Sequence, residues 1–292
     1  MPDGLRECGM VENVPQPRTK TTVCSIGTYS KGDNKMKTIS IINLKGGVAK
    51  TLTTISMAHV LSERHGKRVL VIDNDKQGNT SKTFGVHTYE QKSIADIMLD
   101  RNIDLSSVIQ HTRYPHIDVI PANMMLLKAN MQVMMDSSRP QQTRLRAALR
   151  RITGQYDYCL IDNAPDINIS IINALVASDE VIIPVKIDPY AFDGLRELKQ
   201  QIDITREELN PNLHLLGCLI TCFQRVDGER QGEEWLRRNL DCPVFTTHIR
   251  YSGKVVEGSF EGKPIVEYSI RSGAAHDYVD FVSEYLTGNQ RG

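Results

Sequence analysis

A lysine, a threonine and two glycines set close together can hold a phosphate, and the stretch NLKGGVAKT at residues 43–51 supplies all four. Glycines let backbone N–H groups converge on phosphate oxygens with no Cβ in the way, and the start of a helix adds a favourable dipole. The usual phosphate loop has a glycine, four free positions, a second glycine, then Lys and Ser or Thr. Lys50 and Thr51 fit that pattern, while Leu44 and Ala49 occupy the two glycine positions. A left-handed Ala49 would cost about 1–2 kcal/mol, and a right-handed one almost nothing. Even the larger cost is below the contribution of several charge-assisted hydrogen bonds at roughly 1.5–3 kcal/mol each. Phosphate binding therefore survives the alanine. The competing reading of this stretch alone is a glycine turn between a strand and a helix with a chance Lys-Thr.

Two more stretches carry carboxylates. In VLVIDNDKQGNTS, residues 69–81, an apolar run ends in Asp73 and Asp75 and breaks at Gly78. In YDYCLIDNAPDI, residues 156–167, another ends in Asp162, followed by Pro165. Both carboxylates are expected at the carboxyl ends of buried strands, the edge at which Lys50 and Thr51 begin a helix. A magnesium ion bridging two phosphates takes an oxygen from a hydroxyl such as Thr51 and from a nearby carboxylate, commonly through water. Asp162 is expected in that shell, and Asp73 is expected to position an attacking water. Either aspartate alone reads as a helix cap or turn residue.

These groups need a frame that brings strand ends together. Short β-branched apolar runs fall at residues 38–42, 68–72, 117–120, 158–161, 180–185, 213–221 and 243–247. Helical patterns fall at 50–63, 141–152, 169–177, 192–208, 232–240 and 273–285. Continuous apolar strands alternating with helices imply an α/β fold, a mostly parallel twisted sheet with helices on both faces. Such sheets bind ligands at the carboxyl ends of strands where strand order switches. Residues 1–36, with Pro15, Pro17, Gly27, Gly32 and mixed charges, read as a flexible arm before a domain at 37–292.

The formal net charge of the 292-residue chain is zero, so attraction to nucleic acid has to come from a local patch. No run of apolar residues is long enough to cross a membrane, and the first residues, MPDGLRECGM, lack the apolar core of a signal peptide. A cytoplasmic location is expected. Six cysteines without a C-x-x-C pair read as reduced, mostly buried thiols. Arg144, Arg146, Arg150 and Arg151 read as the solvated face of a helix. In the last helix Asp277, Asp280 and Glu284 oppose Tyr278, Phe281, Val282 and Tyr285, a packed surface helix rather than a membrane anchor.

From about residue 37 to 287 the chain resembles the ParA/Soj partition ATPases, within the deviant P-loop group that includes MinD and the nitrogenase iron protein. That group carries K-G-G-x-x-K-[ST], and Lys45-Gly46-Gly47-Val48-Ala49-Lys50-Thr51 matches it. IDNDKQGNTS is similar to the family's D-x-D-P-Q-G-N, with Lys76 in place of Pro. YDYCLIDNAPDINISIINALVASDEVIIPV resembles its Walker B strand and switch. VFTTHIRYSGKVVEGSFEGKPIVEY resembles its C-terminal G-K-P segment, with Arg250 where a Pro is common and Glu257-Gly258 where Glu-Ala is.

The resemblance implies a three-layer P-loop NTPase fold that binds ATP and Mg2+ and closes as a nucleotide-sandwich homodimer. Lys45 would reach the partner's nucleotide, Lys50 the β and γ phosphates in its own subunit, and Asp73 the water; these three are the expected catalytic residues. Gly46, Gly47, Val48, Ala49, Lys50, Thr51 and Leu52 would line the nucleotide, with Thr51 and Asp162 on the metal. The ATP-bound dimer would bind DNA non-specifically through Arg225, Arg250, Lys254 and Arg271, with Arg230 nearby, and so associate with the nucleoid. It would act in plasmid or chromosome partitioning with a ParB-like centromere-binding partner and hydrolyse ATP slowly. The alternative is a nucleotide-gated regulatory or conjugation accessory module with little or no hydrolysis.

Overall fold

The computed structural model describes residues 35–188 and 191–288, so all but the last two residues of the expected N-terminal arm lie outside the described residues. Seven strands form one sheet: β1 (Lys37–Ile41), β2 (Val69–Asn74), β3 (Gln110–His111), β4 (Ile117–Ile120), β5 (Tyr158–Asn163), β6 (Glu180–Lys186) and β7 (His214–Thr221). Their order is β3-β4-β2-β5-β1-β6-β7. Every pairing is parallel except that of the short edge strand β3 with β4.

The helices are α1 (Lys50–His65), α2 (Asn79–Thr83), α3 (Ile94–Leu99), α4 (Met125–Met135), α5 (Arg144–Leu149), α6 (Ile169–Ala177), α7 (Ala191–Glu208), α8 (Asp227–Asn239), α9 (Gly253–Phe260), α10 (Ile265–Tyr268) and α11 (Gly273–Gly288). They cover both sheet faces, so the strand residues sort by parity. Ile39, Ile41, Val69 and Val71 pack with Met57, Leu61, Tyr278 and Phe281 from α1 and α11. Leu70, Ile72, Cys159 and Ile161 face the other way, against α3, α4 and α5. Burial on both faces explains why the strands read as unbroken apolar runs. No helix among the described residues is long and apolar enough to cross a membrane. The last helix is packed, with Tyr278, Phe281 and Val282 fully buried.

Strand order turns around β1. The chain moves out to β2, returns with β5 between β2 and β1, and continues to β6 on the far side. The loops leaving β1, β2 and β5 therefore lie side by side, the crevice position of open α/β sheets.

Several expectations need correction. Residues 243–247 form no strand of the sheet. They make an isolated bridge, Cys218 with Val244, followed by a second, Phe223 with Arg250. Pro243 has no N–H to continue a ladder, yet its carbonyl accepts from Cys218 N at 2.8 Å, and Ile249 N donates to Ile220 O at 2.8 Å. The segment thus screens the edge of β7 without joining it. Arg144 is not solvated: it is 4% exposed and donates to Asp136 at 2.7 Å and to Met98 O at 2.9 Å. Arg150 and Arg151 are exposed as read. Cys159, Cys218, Cys222 and Cys242 are free thiols, the first two and the last buried; Cys8 and Cys24 lie outside the described residues.

Gly78 joins the β2 loop to α2 in a left-handed conformation, φ 65°, and a Cβ there would lie 2.4 Å from His87 Cδ2 and 2.7 Å from the Ala122 carbonyl oxygen. Gly78→Ala should lower stability by more than the roughly 1–2 kcal/mol of backbone strain alone, read as a fall in the urea midpoint. A midpoint equal to that of the parent would contradict the close packing.

Candidate nucleotide-binding site

The loop between β1 and α1 is held by side chains from neighbouring strands. Asn43 donates to the Pro184 carbonyl of β6 at 2.8 Å and accepts from Lys45 N at 2.9 Å. Thr221, at the end of β7, donates to Val48 O at 3.1 Å. Gly47 has φ 73°, and Ala49, the N-cap of α1, has φ 63° and ψ 29°. Ala49 is therefore left-handed, and the loop carries the larger of the two costs considered. A Cβ on Gly46 would meet nothing within 4 Å, so packing does not require that glycine; Gly47 has open space too, but its left-handed backbone favours glycine. The backbone N–H groups of residues 46–52 donate to no acceptor among the described residues. They form an open nest at the start of a 16-residue helix, which is a ready anion site.

Lys50 is 8% exposed and closes over this loop, donating to Lys45 O at 2.8 Å. Burial pulls its pKa down, and the charges of Asp162, Asp75 and Asp166 oppose that shift. Lys45 lies on the outer side of the loop, where its ammonium pairs with Asp188.

The register of β2 and β5 places Asp73 directly beside Asp162. Asp162 Oδ2 accepts from Thr51 at 2.8 Å and Thr80 at 2.7 Å, while its buried Oδ1 has no partner. Burial pushes its pKa up to about 6 against the hydrogen bonds from Thr80 and Thr51 and the Lys50 charge. Burial and then the Asp162 charge push Asp73 up to about 7. Both Asp73 oxygens are occupied, Oδ1 by Asp75 N at 3.1 Å and Oδ2 by Ser81 N at 2.8 Å and Ser81 Oγ at 2.6 Å.

Asp73 is fully buried and cannot touch a water in the cleft. Of the two aspartates of this loop, it is Asp75, half-buried, that lines the cleft. Asp75 stands one residue past the end of β2, where the sheet no longer covers it.

The cleft measures roughly 840 Å³ and brings together Gly46, Gly47, Ala49, Lys50, Thr51 and Leu52. Val48 faces inward and is 1% exposed. Opposite the loop stand Pro165 and the Gly262-Lys263-Pro264 turn, and Ile55, Val255 and Phe260 give one end an apolar wall. No group of three or more metal-ligating side chains exists among the described residues. An all-protein cage is thus absent there, but the donor set fits magnesium, which keeps waters and takes one or two protein oxygens beside phosphate. Thr51 Oγ1 and the orphaned Asp162 Oδ1 are the atoms suited to it.

Sequence reasoning missed a belt behind the site. Asn74 donates to Asn163 Oδ1 at 2.9 Å, and Asn163 donates to Ile41 O at 3.2 Å, tying the tips of β2, β5 and β1 together. The signal was present as Ile-Asp-Asn at both 72–74 and 161–163. Thr80 and Ser81, which hold the two carboxylates, had no motif of their own.

The expected DNA-contact residues are less well gathered. Arg225 and Arg250 line one shallow hollow, shared with Asp277 and Asp280. Arg250 is held there by Asp277, its Nη2 2.7 Å from Oδ1 and its Nε 2.9 Å from Oδ2. Lys254 pairs with Glu257 at 2.7 Å. Arg225, Arg230 and Arg271 are exposed and make no ion pair among the described residues.

A strand, a glycine-bearing anion nest, a lysine over it and a threonine-bound carboxylate on the next strand define a P-loop nucleotide-binding protein. A profile for an AAA domain matches residues 36–215. The chain is 35% identical to the sporulation initiation inhibitor protein Soj of Bacillus subtilis, over 85% of this chain and 97% of that protein. It is 31% identical to the chromosome partitioning protein ParA of Caulobacter vibrioides, over 87% and 95%. Among solved structures, cobyrinic acid a,c-diamide synthase from Mycobacterium smegmatis, with a bound ATP analog and magnesium, superposes with a TM-score of 0.74 at 27% identity, covering 86% of this chain and 94% of that one. The chain belongs to the ParA/Soj family of P-loop ATPases.

Two outcomes test the site's energetics. Ala49→Gly removes left-handed strain and should raise stability by about 1 kcal/mol, read by urea unfolding; a loss of stability would contradict the strain. Asp73 and Asp162 have folded pKa values above the ordinary carboxylate range, so the folded state binds more protons than the unfolded one. Their contribution to stability is therefore present at about pH 4 and lost as pH rises through about 6 to 7. Without nucleotide and magnesium, Asp73→Asn should flatten the dependence of the urea midpoint on pH across that window. Equal slopes in parent and variant would contradict the buried pair.

Proposed function

We propose that the chain is an ATP-binding, magnesium-dependent switch that hydrolyses ATP slowly, dimerises around nucleotide and binds DNA non-specifically in plasmid or chromosome partitioning. The single observation carrying this reading is the open N–H nest at residues 46–52, facing a buried carboxylate with an unpartnered oxygen. A triphosphate satisfies the first, and a cation the second. The similarity to Soj, a sporulation initiation inhibitor protein, and to ParA, a chromosome partitioning protein, supports the cellular role. The domain is taken as residues 37–292, with 1–36 as an arm.

The nest and Lys50 hold the β and γ phosphates, displacing the Lys50 ammonium from the Lys45 carbonyl it now contacts. Thr51 and Asp162 hold magnesium, directly or through water. Magnesium, when bound, supplies a dication that offsets charge on the phosphate oxygens. Asp75 accepts a hydrogen bond from a water whose oxygen attacks the γ phosphorus. The bond from that phosphorus to the bridging oxygen breaks, leaving ADP and inorganic phosphate. Lys50 and the N–H groups stabilise the charge that develops. Lys45 leaves Asp188 to act on the nucleotide of a second copy, which couples turnover to dimerisation. Exposed Arg225, Arg230 and Arg271 contact DNA phosphates, and a ParB-like partner accelerates hydrolysis at the dimer. Localisation to the nucleoid follows from the DNA contacts.

Phosphate release measured with DNA and a cognate ParB-like protein tests the reading. Lys50→Ala should abolish turnover, and Asp75→Ala should keep ATP binding while losing about 10²–10⁴-fold in rate. Turnover no higher than that of Lys50→Ala would favour the alternative, a nucleotide-gated module. DNA retention should require ATP, fade as salt rises, and weaken uniformly across sequences in Arg225→Ala and Arg271→Ala; equal retention with ADP would defeat the switch.

A further inference from the structure

Helix α4 presents an apolar face that the fold leaves uncovered. Its buried side is Leu126, Ala129, Asn130 and Val133. On the outer side Met124, Met125, Leu127, Met131, Met134 and Met135 are 44% to 83% exposed. Beside them Tyr89 and Leu99 are 61% and 42% exposed, and with Met125, Lys128 and Ala129 they border a groove of roughly 340 Å³. Monomeric proteins rarely leave a contiguous apolar patch of this size in water, and methionine is the side chain best suited to repack against another surface.

We infer that this face is a self-association surface, occupied by α4 of a second copy and formed without nucleotide. Three features of this face favour a second copy as the occupant. These eight large side chains, 42% to 83% exposed, present on the order of 800 Å², about what one partner contributes to a standard interface. The patch is self-complementary, because it holds both protruding groups, Met134 and Met135, and a groove to receive them. A two-fold contact requires both on one surface. The charge pattern fixes the sense of the pairing. Lys128 is the charged residue of α4. An antiparallel pairing centred near Asn130 sets Lys128 against Gln132 of the other copy and Met125 against Met135, whereas a parallel pairing would set Lys128 against itself. Around the groove Glu90 and Asp96 offset Lys92 and Lys128, so the face carries no net charge to hold DNA or an anionic membrane.

Sedimentation equilibrium of the full chain in EDTA, without nucleotide, tests the inference over a roughly hundredfold range of concentration. The parent should approach twice the monomer mass. Met131→Glu and Met134→Glu, both at exposed positions, should each raise the dissociation constant at least about tenfold, with thermal melts unchanged to show that the fold is kept. Tyr251→Glu, which alters an exposed aromatic outside this patch, should leave self-association as in the parent. Monomer mass at every concentration, or a dimer untouched by both methionine variants, would overturn the proposal. Because nucleotide is withheld, either result is independent of whether the chain hydrolyses ATP.

Discussion

Two unlike charges-in-waiting face each other across one loop, and the rest of the site depends on them. On one side, backbone N–H groups 46–52 and a buried lysine ammonium have little protein to satisfy them. On the other, two carboxylates sit side by side at the tips of adjacent strands, far enough from water that burial raises both pKa values. Each half is costly alone. A polyanion accompanied by a small dication satisfies both at once, which makes nucleotide part of the completed structure.

The fold brings the halves together through strand order. Because β5 returns between β2 and β1, Asp162 lies within hydrogen-bond reach of Thr51 on one side and shares its register with Asp73 on the other. Side chains from β6 and β7 then shape the loop, through the contacts of Asn43 with Pro184 and of Thr221 with Val48. The Ser81 hydroxyl, which donates to Asp73 and accepts from Ala122 N, links the carboxylate pair to the segment that leads into α4. Ala49 shows how far the arrangement tolerates strain, since its left-handed backbone is kept with a methyl group in place.

Much of this was legible in the sequence. Lys50, Thr51 and Asp162 announced themselves because apolar runs with polar ends mark where buried strands reach the surface. Asp73 was expected at the cleft because the D-x-D spacing does not say at which residue the sheet stops covering the chain; the strand runs two residues further than its apolar pattern, to Asn74. The strand expected at 243–247 failed for a similar reason: its β-branched residues serve an edge shield in which Pro243 prevents a ladder. Helix α4 escaped notice because MLLKANMQVMM is apolar on nearly every side, so no amphipathic period stands out. The ion pair of Arg250 was not legible because its partner, Asp277, is 27 residues away and only the fold joins them.

Isothermal titration with ATP in the presence of magnesium, and again with the magnesium chelated, tests the central claim most directly. The account predicts saturable binding of one nucleotide per chain, with affinity that drops sharply when the cation is removed, since Asp162 Oδ1 is then left without a partner against added phosphate charge. Absence of binding in magnesium would contradict the anion nest, and equal affinity with and without magnesium would contradict the assignment of Thr51 and Asp162.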